Sequence, residues 1–271
     1  MAYPTVSAPY GFKPVNLIGG QVFSGATRNL PIAYGYNTNI FYGDFVQLTS
    51  GYVNILANTI AGNAAVGVFV GCSFTNPVTK QKTFSQYWPA GTLAGDAQAI
   101  ICDDPDTVFK TAVVTAAGTA TIASASSLLV GANMAGNTST GSTATGDSAG
   151  GVVAASSSTG NFRVLGLVPD TQTVSAATYV SGTGTTTLTV SGLTVGAVIP
   201  VGTDIFQSVN GQLQFTGSTV STAVTVTSAT SQALTVVAST ATISASNPLV
   251  LVQTPEVLVK ITFGAHRYYV A

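Results

Sequence analysis

The hydrophobic pattern of residues 64–74 (AAVGVFVGCSF) is the clearest structural signal in the sequence. Apolar side chains recur at every second position, with small residues and one phenylalanine between them. A period of two is typical of a β-strand with one apolar face, and Asn76-Pro77 is expected to end it because proline has no N–H to donate to a sheet. The predicted apolar face consists of Val66, Val68, Val70, Cys72 and Phe74.

Two more strands are predicted directly downstream, at residues 84–88 (FSQYW) and 97–102 (AQAIIC). The best helix candidate is 121–134, but its Ser, Gly and Asn content gives little helical face. We therefore expect an all-β fold with a β-barrel or sandwich core domain. Other strands are predicted at 28–33, 39–42, 45–48, 52–56, 108–114 and 162–168.

Residues 1–20 are predicted to form an extended N-terminal arm. Pro4, Pro9 and Pro14 recur every five residues, and each favours extended geometry in the residue before it. Such an arm either reaches over a neighbouring subunit or packs on its own domain, and the sequence favours neither. The candidate partner-binding residues in the arm are Tyr3, Tyr10, Phe12 and Lys13.

Residues 171–247 differ in composition from the rest and are predicted to form a small inserted β domain. Thr, Val and Ser dominate the segment, and Asp204 is its one charged residue. Pro169 and Pro248 flank it, which suits a domain boundary. The β-rich core domain is then expected to comprise residues 21–170 and 248–271, with strands from 162–168 and 249–263 in one sheet.

Asn210-Gly211 is the strongest turn signal in the chain. The dipeptide lies between β-prone flanks, and both residues tolerate the positive φ that a two-residue type I′ hairpin requires. A two-residue loop sets the register, so Phe206 is expected to face Phe215. The predicted drier face carries Phe206, Ser208, Leu213 and Phe215, and the wetter face carries Gln207, Val209, Gln212 and Gln214.

The chain is unusually poor in charge. Charged residues make up 6% of its 271 residues, against roughly 25% in an ordinary soluble protein, and the formal net charge is −1. Such a surface is weakly protected against self-association, so a homo-oligomer is expected. Nucleic acid is disfavoured as a partner because phosphates require clustered Lys and Arg. A membrane is disfavoured because no run gives ~20 consecutive strongly apolar residues, and the N-terminal residues lack the pattern of a signal peptide.

No pattern in the sequence supports an enzyme or a cofactor site. His266 is the only histidine, and no neighbouring group is indicated that would make it a general base. Glu256 is the only glutamate, which leaves no evident carboxylate pair for glycoside cleavage. Phosphate-binding and dinucleotide-binding fingerprints are missing. We therefore expect a protein without catalytic activity or cofactor.

The acidic turn at residues 103–106 (DDPD) is the candidate for a metal site. Asp103, Asp104 and Asp106 offer oxygens that suit Ca²⁺, but one short loop needs ligands from elsewhere to reach six or more. Carboxylates that shape an Asp-Pro turn are the favoured explanation, and no metal is expected. Cys72 and Cys102 end neighbouring strands, and an intracellular assembly would keep both thiols reduced.

Lys80 and Lys82 lie close in sequence to Phe84, Tyr87 and Trp88, a combination that occurs in single-stranded nucleic-acid platforms. Two lysines are too few for such a platform. The favoured prediction is a solvated turn next to a buried aromatic strand.

Six short blocks carry a family likeness. They are PYGFKPV (residues 9–15), GD (43–44), GVFVG (67–71), FSQYWP (84–89), DDPD (103–106) and VLGL (164–167). In this order they resemble small β-rich head proteins of tailed bacteriophages, especially marine ones, which are described as capsid decoration or cement proteins. The resemblance covers roughly residues 8–170 and 249–269, whereas 171–247 looks more like the Thr/Val/Gly-rich β modules of phage fibres.

The resemblance implies a virion protein on the outer surface of the capsid. It would bind subunits of the major capsid protein, cement the shell and form a homotrimer. An all-β fold agrees with this role, because the major shell protein of such phages needs a long helix. The fibre-like insertion suggests an alternative, a tail or fibre protein that binds the host surface. A polysaccharide-cleaving enzyme is disfavoured by the missing carboxylate pair.

Overall fold

The computed structural model describes residues 6–56, 65–115, 121–158, 160–182, 186–237, 243–244, 247–262 and 266. Within these residues the fold is all-β, as expected, and the helices are two single turns of 3-10 helix. The helix candidate at 121–134 contains one of these turns, Ser127–Leu129, and the start of a strand. No helix in the described part of the chain is long and apolar enough to cross a membrane.

Twenty strands occur in the described residues. In chain order they are β1 (Phe12–Leu17), β2 (Arg28–Pro31), β3 (Phe45–Thr49), β4 (Tyr52–Ile55), β5 (Ala65–Thr75), β6 (Lys82–Ser85), β7 (Gln98–Cys102), β8 (Thr107–Val114), β9 (Asn133–Asn137), β10 (Gly151–Ser156), β11 (Phe162–Leu167), β12 (Thr173–Gly182), β13 (Thr187–Ser191), β14 (Val198–Ile199), β15 (Asp204–Val209), β16 (Gln212–Thr219), β17 (Val224–Thr225), β18 (Gln232–Thr235), β19 (Pro248–Gln253) and β20 (Glu256–Ile261).

The chain folds into two compact units. The first, which we call the barrel unit, consists of Ala8–Thr121, Gly131–Gly166 and Val257–Ala271. The second, which we call the inserted unit, consists of Met1–Ser7, Ile122–Val130 and Leu167–Glu256.

A closed five-stranded barrel forms one part of the barrel unit. Its strands follow the order β8, β10, β9, β11 and β20, and β20 pairs again with β8. Three buried aromatic rings pack together in this unit: Phe12 stacks on Phe162 with centroids 4.3 Å apart, and Phe45 lies 4.6 Å from Phe162. Because aromatic pairs bury large apolar areas, this cluster is a major part of the unit's core.

The predicted N-terminal arm is wrong for residues 12–17. These residues form β1, which pairs antiparallel with β8 from Phe12 opposite Thr111 to Leu17 opposite Thr107. The proline spacing predicted extended backbone correctly, but extended backbone is equally suited to a sheet, and the buried ring of Phe12 joins the start of β1 to the core.

A second sheet of the barrel unit has the strand order β2, β7, β5, β3 and β4, with β6 also paired to β5. The strand predicted at 64–74 is β5, but its predicted single apolar face is wrong. The pairing of β5 with β7 shifts in register between Phe69 and Gly71 of β5. The pairing of β5 with β3 shifts in register between Val46 and Gln47 of β3. At each shift β5 has one residue more than its partner strand, which changes the face of the sheet on which the following side chains lie. Val68 and Phe69 are therefore both fully buried although they are adjacent in sequence.

The strand predicted at 84–88 is shorter than expected. The paired strand, β6, ends at Ser85, and Trp88 joins the structure through an isolated bridge to Ile40. Trp88 is fully buried, and its indole N–H donates to the carbonyl of Tyr36 at 3.1 Å. This ring anchors the core of the second sheet.

The inserted unit contains a six-stranded sheet with the order β16, β15, β19, β12, β13 and β18, together with the pair β14 and β17. The boundary predicted at Pro248 is therefore wrong, because β19 pairs with β12 and β15 rather than with the barrel. Leu249 and Leu251 are buried in the core of the inserted unit. The other predicted neighbours are correct, since β11 and β20 are adjacent in the barrel.

The predicted hairpin at Asn210-Gly211 is confirmed. Both residues have positive φ, 52° and 79°, and Phe206 lies opposite Phe215 with ring centroids 5.2 Å apart. The prediction of the wetter face is wrong, because Gln207 is buried whereas Leu213 is 57% exposed. The Gln207 side-chain oxygen accepts weak hydrogen bonds at 3.5 Å from the backbone of Ser244 and from the side chain of Asn247, which gives this buried acceptor two partners.

Candidate interaction surface

Two of the four candidate partner-binding residues lie together on the barrel unit. The ammonium of Lys13 lies 4.7 Å from the ring centroid of Tyr10, within the range of a cation–π contact, and both residues are half-buried. The prediction for Phe12 is wrong because that ring is buried in the aromatic cluster. Tyr3 lies outside the described residues.

The three carboxylates of the acidic turn have separate partners. Asp103 forms an ion pair with Arg28 at 2.5 Å, and Asp106 forms one with Lys260 at 2.9 Å. Asp104 accepts a hydrogen bond from the backbone N–H of Asp106 at 2.8 Å, which is the turn-shaping role favoured above. In the part of the chain that the structure describes, no group of three or more potential ligands is placed to hold a metal ion.

The two cysteines are free and buried. Cys72 lies opposite Ala99, whereas Cys102 lies opposite Val68, so the two thiols are separated along β5. Burial raises the pKa of the Cys72 thiol to about 12 and raises that of Cys102 as well. Both side chains are therefore protonated and unreactive at neutral pH.

His266 is fully buried and bridges to Ala65. Burial lowers its pKa below the ordinary histidine value, although the neighbouring Asp103 favours the charged form. The neutral imidazole thus has a structural position in the barrel unit.

The hairpin formed by β5 and β6, residues 73–85, carries two of the most exposed apolar side chains in the described residues. Val78 in the turn is 86% exposed, and Phe84 on β6 is 77% exposed. Aromatic residues that are exposed on a free protein and buried against a partner provide much of the binding energy of interfaces. We refer to this element as the β5–β6 hairpin.

The inner face of the β5–β6 hairpin is anchored in the core. Phe74 packs edge-on against Trp88 with ring centroids 5.5 Å apart, and Thr83 lies opposite Phe74 in the register. Phe84 lies opposite Ser73, so its ring is on the other face, away from this contact. The hairpin therefore has one face in the core and one face that presents Phe84 to solvent.

Asp96 braces the base of the hairpin. One of its carboxylate oxygens accepts from the Thr75 N–H at 2.9 Å, and the other accepts from the Thr75 hydroxyl at 2.7 Å and from the Lys82 ammonium at 3.0 Å. The hydrogen bonds from Thr75 and Lys82 hold the pKa of Asp96 well below its usual range. The Asp96 carboxylate is therefore charged at neutral and at mildly acidic pH.

Asn76 orders the turn of the hairpin. Its side-chain oxygen accepts from the N–H groups of Val78 at 2.8 Å and Thr79 at 3.1 Å, and its carbonyl accepts from the N–H of Lys80 at 2.9 Å. A turn closed by its own side chain has little conformational freedom to lose when a partner binds. The hairpin is thus a preorganised apolar projection.

The exposure of Phe84 was not predicted from the sequence. The prediction of a buried aromatic strand is right for Trp88 and wrong for Phe84, because aromatic content alone does not show which face a side chain occupies. The register of the hairpin is what determines this exposure, since it places Phe84 on the same face as Ser73 and not on the face of Phe74.

Comparisons with models of protein families, with curated protein sequences and with solved structures find no match to this chain.

Proposed function

We propose that this chain is a structural virion protein that decorates the outer surface of a tailed-phage capsid and cements it by binding subunits of the major capsid protein. The observation that carries the proposal is the braced β5–β6 hairpin, which holds Val78 and Phe84 in solvent on a rigid support. The hairpin supports contact with a protein partner. The choice of a capsid as that partner rests on the resemblance of the six sequence blocks to phage decoration proteins.

Low charge supports the same role. With 17 charged residues in 271, the surface has few groups that lose hydration when it is covered by a partner. Within the hairpin, Lys82 is already paired with Asp96 at 3.0 Å. Lys80, in the turn, is the other charged residue of the hairpin, so contact centred on Phe84 desolvates few charged groups.

Electron microscopy of purified particles tests the location. The proposal expects density for this protein on the head lattice, in contact with the major capsid protein. Density only at the tail would overturn the proposal and support the alternative of a tail or fibre protein.

Binding to capsids that lack the protein tests the surface. Phe84→Ala is expected to weaken co-sedimentation with such capsids by about tenfold or more, the effect of removing an interface anchor. Tyr34→Ala is the matched control, because Tyr34 is an exposed aromatic residue outside the hairpin. Asp96→Ala is expected to weaken binding as well, since it removes the brace and leaves Phe84 in place. Equal binding of Phe84→Ala and wild type would show that the hairpin is not the contact.

A further inference from the structure

A cavity of about 460 Å³ lies on the outside of the barrel, where β9, β11 and β20 run side by side. Most of its wall is apolar and comes from Ile18, Leu165 and Ile261. Ile18 and Leu165 are partly exposed, at 49% and 37%, which leaves the cavity open to solvent. Its volume is in the range of small-molecule binding sites.

Two polar side chains in this wall have unused hydrogen-bonding capacity. Arg163 is exposed, and its guanidinium has no hydrogen-bond or ion-pair partner among the residues that the structure describes. Asn133 has a buried side-chain oxygen, Oδ1, that accepts no hydrogen bond. Arg163 and Asn133 are directly opposite in the antiparallel pair of β11 and β9, which places their Cβ atoms about 5 Å apart on one face of the sheet.

The other two polar side chains of the wall already have partners, and the Thr262 hydroxyl donates to the carbonyl of Gly160 at 3.5 Å. Lys260 is buried, and its ammonium donates to Asp106 at 2.9 Å. The cavity therefore offers one unpaired cation, one unpaired acceptor and an apolar surface. A dianion such as a phosphate monoester would bring a second negative charge close to Asp106 in a mostly apolar site, which is unfavourable.

We infer that this cavity binds a small carboxylic acid with an apolar body and an N–H next to the carboxylate. The carboxylate pairs with Arg163, the N–H donates to Asn133 Oδ1, and the apolar body packs against Ile18, Leu165 and Ile261. An N-acylated amino acid with a branched aliphatic side chain has this arrangement of groups. The inference goes beyond the virion role and does not depend on it.

Titration of the full-length protein with N-acetyl-leucine, followed by NMR or calorimetry, tests the site. A ligand of this size is expected to bind with a Kd on the order of 1 mM. Arg163→Gln is expected to weaken binding about tenfold or more, because the charged hydrogen bonds to the carboxylate are lost. Arg163→Lys keeps the charge but not the planar fork, so it is expected to retain part of the affinity. Lys80→Gln is the control, since it removes a cation outside the cavity and should leave binding unchanged.

Changes to the ligand test the inference on the unmodified protein. N-acetyl-leucine methyl ester has no carboxylate and is expected to bind about tenfold more weakly or worse. 4-Methylpentanoate retains the carboxylate and the apolar body but lacks the N–H, and it is expected to bind more weakly than N-acetyl-leucine. Absence of saturable binding by N-acetyl-leucine, or equal binding of the acid and its ester, overturns the inference. Equal binding by wild type and Arg163→Gln overturns it too.

Discussion

At the scale of single residues, Gly67 shows how close backbone approach limits the sequence. It lies in β5 opposite Val46, and a Cβ at this position would collide with the carbonyl oxygen of Cys102 and lie 2.9 Å from the Cα of Asp103. Both contacts are with backbone, which has little room to move within a paired sheet. Only glycine therefore fits where the end of β7 meets β5.

Gly67→Ala is expected to destabilise the protein by about 2–3 kcal/mol, because the methyl group overpacks a site bounded by backbone. Chemical unfolding of the purified protein measures this change. Gly95→Ala is the control, since a Cβ there meets no atom within 4 Å, and its effect should stay within about 0.5 kcal/mol. Equal stability of the two variants would contradict the close approach.

Asp44 is a buried carboxyl group in the turn before β3. It is 1% exposed, and one of its oxygens accepts from the Phe41 N–H at 2.7 Å. Burial raises its pKa from 3.8 to about 6, although hydrogen bonding from the Ser148 side chain and from the Phe41 N–H opposes the change. The folded state therefore holds this proton more tightly than the unfolded chain does.

The raised pKa of Asp44 predicts the direction in which the stability of the protein changes with pH. Because the folded state binds more protons between about pH 4 and pH 6, Asp44 lowers the free energy of unfolding as the pH rises through this window, by about 3 kcal/mol at most. Asp44→Asn keeps an acceptor for the Phe41 N–H and cannot ionise, so its stability should rise relative to wild type from pH 4 to pH 7. Urea unfolding of both proteins across this range measures the difference. Parallel pH profiles would show that Asp44 does not titrate in this window.

At the scale of elements, the Asn210-Gly211 hairpin and the β5–β6 hairpin differ in what determines their register. The Asn210-Gly211 hairpin follows from local backbone preference, since both residues adopt the positive φ that the turn requires. The β5–β6 hairpin instead depends on Asn76 in its turn and on Asp96, which is distant in sequence, at its base. The first register was predicted correctly, and the second was not predicted at all.

Gly211→Val is expected to destabilise the inserted unit by about 1–2 kcal/mol or more, because a branched side chain at positive φ is strained. Hydrogen exchange of β15 and β16 amides measures the local effect, which should exceed that in the barrel. Asn210→Gly is the control, because glycine adopts the same φ without strain. Faster exchange spread equally over both units would argue against a local effect.

At the scale of the whole molecule, the most unusual property is the low content of charged residues. The chain has 8 basic and 9 acidic residues. Among the described residues of the barrel unit, ion pairs join Arg28, Lys82 and Lys260 to Asp103, Asp96 and Asp106, respectively. With a formal net charge of −1, the chain has little net charge to repel a second copy. Self-association through apolar contacts is the expected consequence.

We expect a homo-oligomer at micromolar concentration, and a trimer if the resemblance to phage decoration proteins extends to assembly. Light scattering after gel filtration measures the mass. Because apolar contacts are not screened by salt, the oligomer should persist at about 1 M NaCl, where surface ion pairs are weakened. A stable monomer at low salt would contradict the prediction, and dissociation by salt alone would show that ion pairs hold the copies together.

The sequence by itself determined the features that depend on neighbouring residues. The alternation of apolar residues predicted the extent of β5, and Asn210-Gly211 predicted the register of the hairpin of β15 and β16. Both predictions succeed because strand periodicity and backbone dihedrals are local properties. The all-β class follows from the same local signals, summed over the chain.

Tertiary structure decided which strands pair and which faces are buried. The segments that form β19 and β20 are both short and apolar, yet β19 joins the inserted unit and β20 closes the barrel. The bulge beside Phe69, the exposure of Phe84 and the pairing of Arg163 with Asn133 likewise depend on partner strands far away in sequence. Local patterns do not encode these choices, because burial and pairing are set by competition among all strands for the same partners.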